Sequence, residues 1–249
     1  MKTLIAYVVW NKDKMIDWIG WGLRRNFKPE DVDILFLLDN PIDGTDDTIE
    51  NYLIPLMKEY NVKMEIYNKT PQFKMELQNI ALKYGIDNGY DIVICPQDDQ
   101  KIQDPFLLKN IKNLMDIYGD RLGFIGGRDG HNDMSYSDIS GSLFSHPGSH
   151  ANFRWLLPGE FVEKKLLNDG PLIYNRHLIE TVGYHDTENF KVFCSEYDYS
   201  MRSHNAGLVN INLGMEIVHE KFNCLRSNVY YSKHGYSQHD HDNLQKKWF

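Results

Sequence analysis

Cysteine is scarce in this chain. Cys95, Cys194 and Cys224 lie far apart in 249 residues and form no CxxC pair. That excludes a zinc knuckle or a disulfide framework and suits a reducing compartment. Long apolar runs are also missing. The first, Leu4 to Trp10, is too short to span a bilayer and is cut by Asn11-Lys12-Asp13. No cleavable leader of convincing shape is present, so the expectation is a soluble, cytoplasmic protein without a transmembrane segment. Basic runs are absent, and the formal net charge is −8. Nucleic acid is therefore excluded as the main partner, because phosphate backbones require clustered Lys and Arg. There is no phosphate loop and no GxGxxG: Gly20-Trp21-Gly22 runs into Leu23-Arg24-Arg25 and fails the pattern, so a glycine cradle is not how phosphates would be held. Neither an internal repeat nor a linker interrupts the chain, which reads as one domain, 1–249.

What is present is an alternation of strand-like and helix-like segments. Lys2 to Trp10, Val32 to Leu38, Val62 to Tyr67 and Ile92 to Cys95 are apolar runs of strand length, and such continuous runs suit a mostly parallel sheet covered on both faces. Between them, Thr45 caps a helical pattern through Ile49, Leu53 and Met57 that Pro55 must kink or split. Leu77, Ile80, Ala81 and Tyr84 keep helical spacing up to Gly85 and Gly89, and Asp104-Pro105 opens a further helix. The pattern is α/β and Rossmann-like. The fourth strand ends in Pro96-Gln97-Asp98-Asp99, which delivers two adjacent carboxylates to the strand edge where open α/β sheets bind ligands. Two such acids are costly to hold together without a cation, and a divalent metal is the usual one; the alternative is a solvated loop that happens to be acidic. The second half is less regular. A long stretch from Ser135 to Trp155 holds Tyr136, His150, Phe153 and Trp155, aromatics that could stack on the apolar face of a ligand or pack onto the sheet.

Four segments in sequence order resemble the family 2 glycosyltransferases of the GT-A fold. Leu38-Asp39-Asn40-Pro41-Ile42-Asp43-Gly44-Thr45 is similar to the family's Asp-x-Gly-Ser-x-Asp-Gly-Thr loop. Gln78-Asn79-Ile80-Ala81 resembles its Arg-Asn-x-Gly helix, with Gln78 for Arg and Ala81 for Gly. The acidic pair stands at the DxD motif, with Gln97 where the first acid would be. Arg176, Glu180 to Asp186, Glu196-Tyr197-Asp198 and Arg202 resemble the acceptor-side block with its base motif. The resemblance implies a GT-A fold with a nucleotide-sugar-binding half (1–104), an acceptor-binding half (105–225) and a C-terminal segment (226–249) expected to be mobile. It also implies an inverting glycosyltransferase that uses a nucleoside-diphosphate sugar, a glycan or other hydroxyl acceptor, and Mn²⁺ or Mg²⁺.

In that reading the donor lies against Val8, Val9, Asp39, Asp43, Gln78, Asn79 and Asp98. Asp99 and His219 ligate the metal, and Glu196, supported by Asp198, is the general base. Bland alternatives stand beside these roles. Acids at a helix start suit the macrodipole, and Asp198 with Arg202 is an i,i+4 ion pair. His219 is either a ligand of metal or diphosphate or a satisfied histidine at a strand end. His239-Asp240-His241-Asp242 has the look of a metal site but reads as a solvated tail. Two other functions compete. A nucleotidyltransferase would carry a glycine-rich loop after the first strand, which Asn11 to Met15 lacks. A catalytically inactive sugar-nucleotide or glycan-binding module is favoured by Gln78 and Gln97 and disfavoured by the retained Asp99, Glu196 and Asp198.

Overall fold

Alternate side chains of the first strand feed two separate cores. Ile5, Tyr7 and Val9 join one cluster and Leu4, Ala6 and Val8 the other, so this strand is buried on both faces as a central parallel strand should be. The computed structural model describes residues 1–67, 74–126, 130–132, 153–167, 170–191, 194–219 and 236–248. Its strands are β1 (Thr3–Val9), β2 (Val32–Asp39), β3 (Asn61–Tyr67), β4 (Ile92–Cys95), β5 (Gln100–Ile102), β6 (Leu122–Gly126), β7 (Gly130–Asn132), β8 (Phe153–Trp155), β9 (Phe161–Glu163), β10 (Leu172–Asn175), β11 (Val209–Leu213) and β12 (Ile217–His219). The helices are α1 (Asp13–Asn26), α2 (Thr45–Thr48), α3 (Ile54–Leu56), α4 (Lys74–Asp87), α5 (Leu107–Tyr118), α6 (Arg176–Val182), α7 (Ser195–Asn205) and α8 (Tyr236–Trp248). A π-turn over Ile49–Leu53 joins α2 to α3 just ahead of Pro55, whose ring and missing N–H disfavour a regular i→i−4 ladder there.

The main sheet has eight strands in the order β3-β2-β1-β4-β10-β6-β11-β9. β3, β2, β1 and β4 are mutually parallel, β10 inserts antiparallel between β4 and β6, and β11 runs parallel to β6. Helix α4 packs on the face of β1 and β4 that carries Leu4, Ala6, Val8 and Val93, while α1 and α5 supply Ile16, Ile19, Ile111 and Leu114 to the other. Gly20 and Gly22 serve this packing. A Cβ at Gly22 would stand 2.4 Å from Lys101 Cγ and 3.0 Å from the Ile102 carbonyl, so the glycine lets α1 approach β5 closely.

The reading of His239 to Asp242 as a solvated tail needs correction. Residues 236–248 form a docked helix in which Asp240 is fully buried and Leu244 packs with Phe190 and Cys194. Asp240 accepts from the Lys191 backbone N–H, so it belongs to neither a solvated tail nor a metal site. The polar spacing concealed an anchor that works through buried hydrogen bonds. The segment containing Tyr136 and His150 lies outside the described residues, as do the side chains of Phe153, Trp155 and His219.

Candidate active site

Three parts of the chain meet at the C-terminal edge of the parallel strands. The first is the pair of loops after β1 and β2. Each strand is followed by an asparagine in the left-handed region, Asn11 (φ 48°) and Asn40 (φ 44°), a conformation asparagine tolerates better than most residues. The loops brace each other. The Lys12 N–H donates to Thr45 Oγ1 at 2.8 Å, the Asp13 N–H to Asp43 Oδ2 at 3.1 Å and the Ile42 N–H to Asn11 Oδ1 at 2.9 Å. Asp43 also accepts from the Thr45 N–H and hydroxyl. Asn11, Lys12, Asp13, Lys14, Met15 and Asp43 line an open cleft of about 180 Å³. Asp39 closes β2, fully buried. Val8 and Val9 turn their side chains into the two cores, which leaves their backbone as the edge they can offer a ligand.

The second part is the acid-bearing turn after β4. It is closed by the Gln100 N–H donating to the Gln97 carbonyl and by the Gln97 N–H donating to Gln100 Oε1, both at 3.0 Å. Gln97 thus contributes through its backbone. Tyr7, buried in β1, donates from its hydroxyl to the Gln100 carbonyl at 3.3 Å. Asp99 is buried and Asp98 partly so. Asp98 accepts from the Trp10 N–H at 3.1 Å and lies 3.9 Å from Lys12 Nζ, whose side chain is itself buried. Lys12, which sequence reasoning did not single out, is therefore a cation placed against the acidic pair; the only signal for it was its position just after the first strand. β12 pairs with β5 so that His219 stands opposite Gln100, the residue after Asp99.

The third part follows from the topology. β10 is antiparallel, with Leu172 opposite Cys95, so it starts at the edge where β4 ends. Helix α6 then returns the chain to that edge, and α7, which leads into the parallel strand β11, begins there. Its first turn carries Ser195, Glu196 and Asp198, all buried. Asp198 is committed to structure. Oδ2 accepts from Arg202 Nε at 2.9 Å, and Oδ1 accepts from Trp248 Nε1 and faces Lys247 Nζ, both at 2.9 Å. This is the i,i+4 ion pair, extended by α8.

Asn79 and Gln78 on α4 complete the edge. Both amide atoms of Asn79 are spent on the backbone of His185, donating to its carbonyl at 2.9 Å and accepting its N–H at 2.8 Å. Asn79 therefore clamps the loop after α6 to α4. Gln78 is 1% exposed, and its Oε1 meets no hydrogen-bond donor among the described residues. His185 was also missed as a separate residue. It is buried with Nε2 at 2.7 Å from the Tyr174 hydroxyl and Nδ1 at 2.7 Å from Ser195 Oγ. Burial, with Arg202 and Lys74 nearby, pulls its pKa down to about 3, so it is a neutral strut. Cys95, at the end of β4, is buried and its thiol is pushed up to about 12, which leaves it inert as a nucleophile.

Among the described residues no group of three or more His, Cys, Asp or Glu side chains is assembled to hold a metal. Two carboxylates nevertheless fit a hard divalent ion of the kind that takes its remaining ligands from water and substrate phosphates. Asp98 and Asp99 would be those carboxylates.

No protein-family model and no curated protein matches the chain. Solved structures do. S. aureus TarS 1–349 in complex with UDP-GlcNAc is 17% identical with a TM-score of 0.59, over 92% of this chain and 62% of that one. GalNAc-T7 with UDP, GalNAc and Mn²⁺ is 9% identical with a TM-score of 0.65, over 88% and 44%. The mannosyltransferase PcManGT from Pyrobaculum calidifontis, in complex with GDP-Man and Mn²⁺, is 11% identical with a TM-score of 0.56, over 84% and 53%. The chain thus spans less than two thirds of the length of these proteins. At such identities the likeness is one of fold, and the fold is GT-A: a mixed, mostly parallel sheet flanked by helices. No helix among the described residues is long and apolar enough to cross a membrane.

Proposed function

We propose that this chain transfers a sugar from a nucleoside-diphosphate sugar to an acceptor hydroxyl, with inversion at the anomeric carbon. The observation that carries the reading is the convergence of Asp39, the Asp98–Asp99 turn and Glu196, from three separate segments, on one edge of a GT-A sheet. Neighbours of this fold hold UDP-GlcNAc, UDP or GDP-Man, which supports a nucleotide sugar as donor.

In this reading Asp39 accepts hydrogen bonds from the nucleoside, and the backbone after Val8 and Val9 borders the base. Gln78 presents its amide to the donor. Asp43 and Asn79 act indirectly: the first holds the loop that carries Lys12, the second holds His185. Asp98 and Asp99 would hold Mn²⁺ or Mg²⁺, with His219 as a further candidate ligand; the ion, when bound, stabilises negative charge on the departing diphosphate. Lys12 adds a protein cation at the same edge. Glu196 takes the proton from the acceptor hydroxyl as its oxygen bonds to the anomeric carbon. The bond from that carbon to the diphosphate oxygen breaks on the opposite face, and a single displacement inverts the configuration.

Glu196→Gln keeps the shape of the site and removes the base. Transfer falls by about 10²–10⁴-fold while donor binding persists. Asp99→Ala instead loses the metal-dependent part of donor binding. Unimpaired transfer by both variants would overturn the mechanism. Donor binding without transfer by the unaltered protein, across a panel of hydroxyl acceptors, would favour the inactive binding module.

A further inference from the structure

The described contacts of α8 concentrate on the segment that delivers Glu196 and on the first turn of its helix. Asn243 Nδ2 donates to the Asn189 carbonyl at 2.8 Å, and the Lys191 N–H donates to the Asp240 carboxylate at 3.1–3.2 Å. Leu244 packs with Phe190 and Cys194, and Trp248 and Tyr197 both pack against that cluster. Lys247 Nζ lies 2.9 Å from both Asp186 Oδ2 and Asp198 Oδ1, and Trp248 Nε1 donates to that same Asp198 oxygen at 2.9 Å. These bonds close a gap of 50 residues between α8 and the turn that holds Glu196. The chain enters α7 through Cys194 with φ 62°, a left-handed geometry that a non-glycine residue keeps only when its surroundings hold it there. Among the described residues grouped with Cys194, Leu244 and Trp248 come from α8.

We infer that α8 is a clasp and that Lys247 and Trp248 are positioning residues for the base. They act through Asp198, two residues from Glu196, on the aim of the first turn of α7. The inference rests on Glu196 being the base. It gives the Asp198 carboxylate a role distinct from proton transfer: it is the point where the clasp grips. A base displaced by a fraction of an ångström loses much of its advantage, since a misplacement of about 1 Å can cost on the order of 10²-fold in rate. Donor binding depends on β1, β2 and the β4 turn, none of which the clasp touches in the contacts above.

The test uses the full chain with Lys247→Met and Trp248→Phe, each removing one donor to Asp198 while keeping bulk, and with Lys247→Arg as the conservative control. The readouts are kcat and KM for transfer (or for donor hydrolysis where no acceptor is in hand), the pH profile of kcat, and donor affinity by calorimetry. The expected result is a kcat lowered by roughly tenfold or more, unchanged donor affinity, a displaced acid limb of the kcat profile, and substantial recovery in Lys247→Arg. Trp248→Phe, the milder change, keeps the test available should Lys247→Met fail to fold. Wild-type kcat with only a lowered melting temperature would overturn the proposal, as would kcat and donor affinity falling together. Glu196→Gln separates the two levels. Full activity in that variant sinks the base assignment itself, whereas an inactive Glu196→Gln beside fully active Lys247→Met and Trp248→Phe sinks the clasp alone.

Discussion

At the scale of single residues, the candidate site contrasts a group built to stay neutral with groups built to stay charged. His185 sits between two hydroxyls, edge-on to the ring of Tyr174 and beside the tilted ring of Tyr199. With its folded pKa held down to about 3, the unfolded chain binds the extra proton first. Its stabilising contribution is therefore complete above the unfolded value of about 6.5 and drains away as pH falls toward the folded one; on the order of 3 kcal/mol is lost by pH 4. Denaturant midpoints between pH 4 and 7 should show this slope in the unaltered protein and a flatter one in His185→Gln, which will be less stable at pH 7. Equal slopes would refute the assignment. Asp186 works in a lower window. Burial pushes its carboxyl up, but Lys247 and Asn189 prevail and bring it down to about 2, so its contribution is present above about pH 3.9 and lost as pH falls toward the folded value. Asp186→Asn should flatten only that last part of the acid limb. Neither role was legible in the sequence. There His185 is one letter in the Glu180–Asp186 block, and its burial is made by Tyr174, Ser195 and Asn79 from three other elements. Asp39, Asp98 and Asp99 were legible because each ends an apolar run, and a strand end has one place to go.

At the scale of elements, the packing of α1 on β5 couples the first helix to the acid-bearing turn. Gly20 and Gly22 both sit inside α1, where alanine would gain about 1 kcal/mol of helix propensity. Their surroundings differ. A Cβ at Gly20 meets a Leu53 methyl, which can rotate away, whereas one at Gly22 meets Lys101 Cγ and the Ile102 carbonyl. That carbonyl moves only with β5, the strand that follows Asp99 directly. Gly22→Ala should lose up to about 2 kcal/mol net of the propensity gain and weaken donor binding, while Gly20→Ala should be close to neutral in both; thermal melts with and without donor read the difference. The division of the Thr45–Met57 helical pattern was legible through Pro55, since the physics of proline is local. The docking of α8 was not. Its anchors are Asp240, Lys247 and Trp248, whose partners lie tens of residues away, and its charged sequence has the composition of a solvated tail. Even the insertion of β10 between β4 and β6 could not be read, because strand order in a mixed sheet is decided by partners remote in sequence.

At the scale of the molecule, the proposed function asks an acidic protein to hold an anionic donor. The chain carries a net charge of −8, and the sheet edge concentrates Asp39, Asp98, Asp99 and Glu196, with Lys12 against Asp98. A diphosphate arriving there meets like charge unless a cation accompanies it. Donor affinity should therefore be strongly metal-dependent, and the dependence should reside in Asp99. Thermal shifts with UDP, GDP, dTDP and CDP sugars, each with and without Mn²⁺, measure this directly. A ligand at 100 times its dissociation constant adds about 2.7 kcal/mol, which a chain of this length shows as several degrees. The expected pattern is stabilisation by one nucleotide class in the presence of Mn²⁺, its loss on chelation, no Mn²⁺ increment in Asp99→Ala, and a weaker response in Lys12→Met both with and without metal. Equal stabilisation with and without Mn²⁺ would mean that Lys12 and its neighbours carry the diphosphate unaided, and the acidic pair would then need another explanation. A response to Mn²⁺ that survives Asp99→Ala would move the ion to other ligands, because a carboxylate buried at the end of β4 cannot be bypassed if it is the one that holds it.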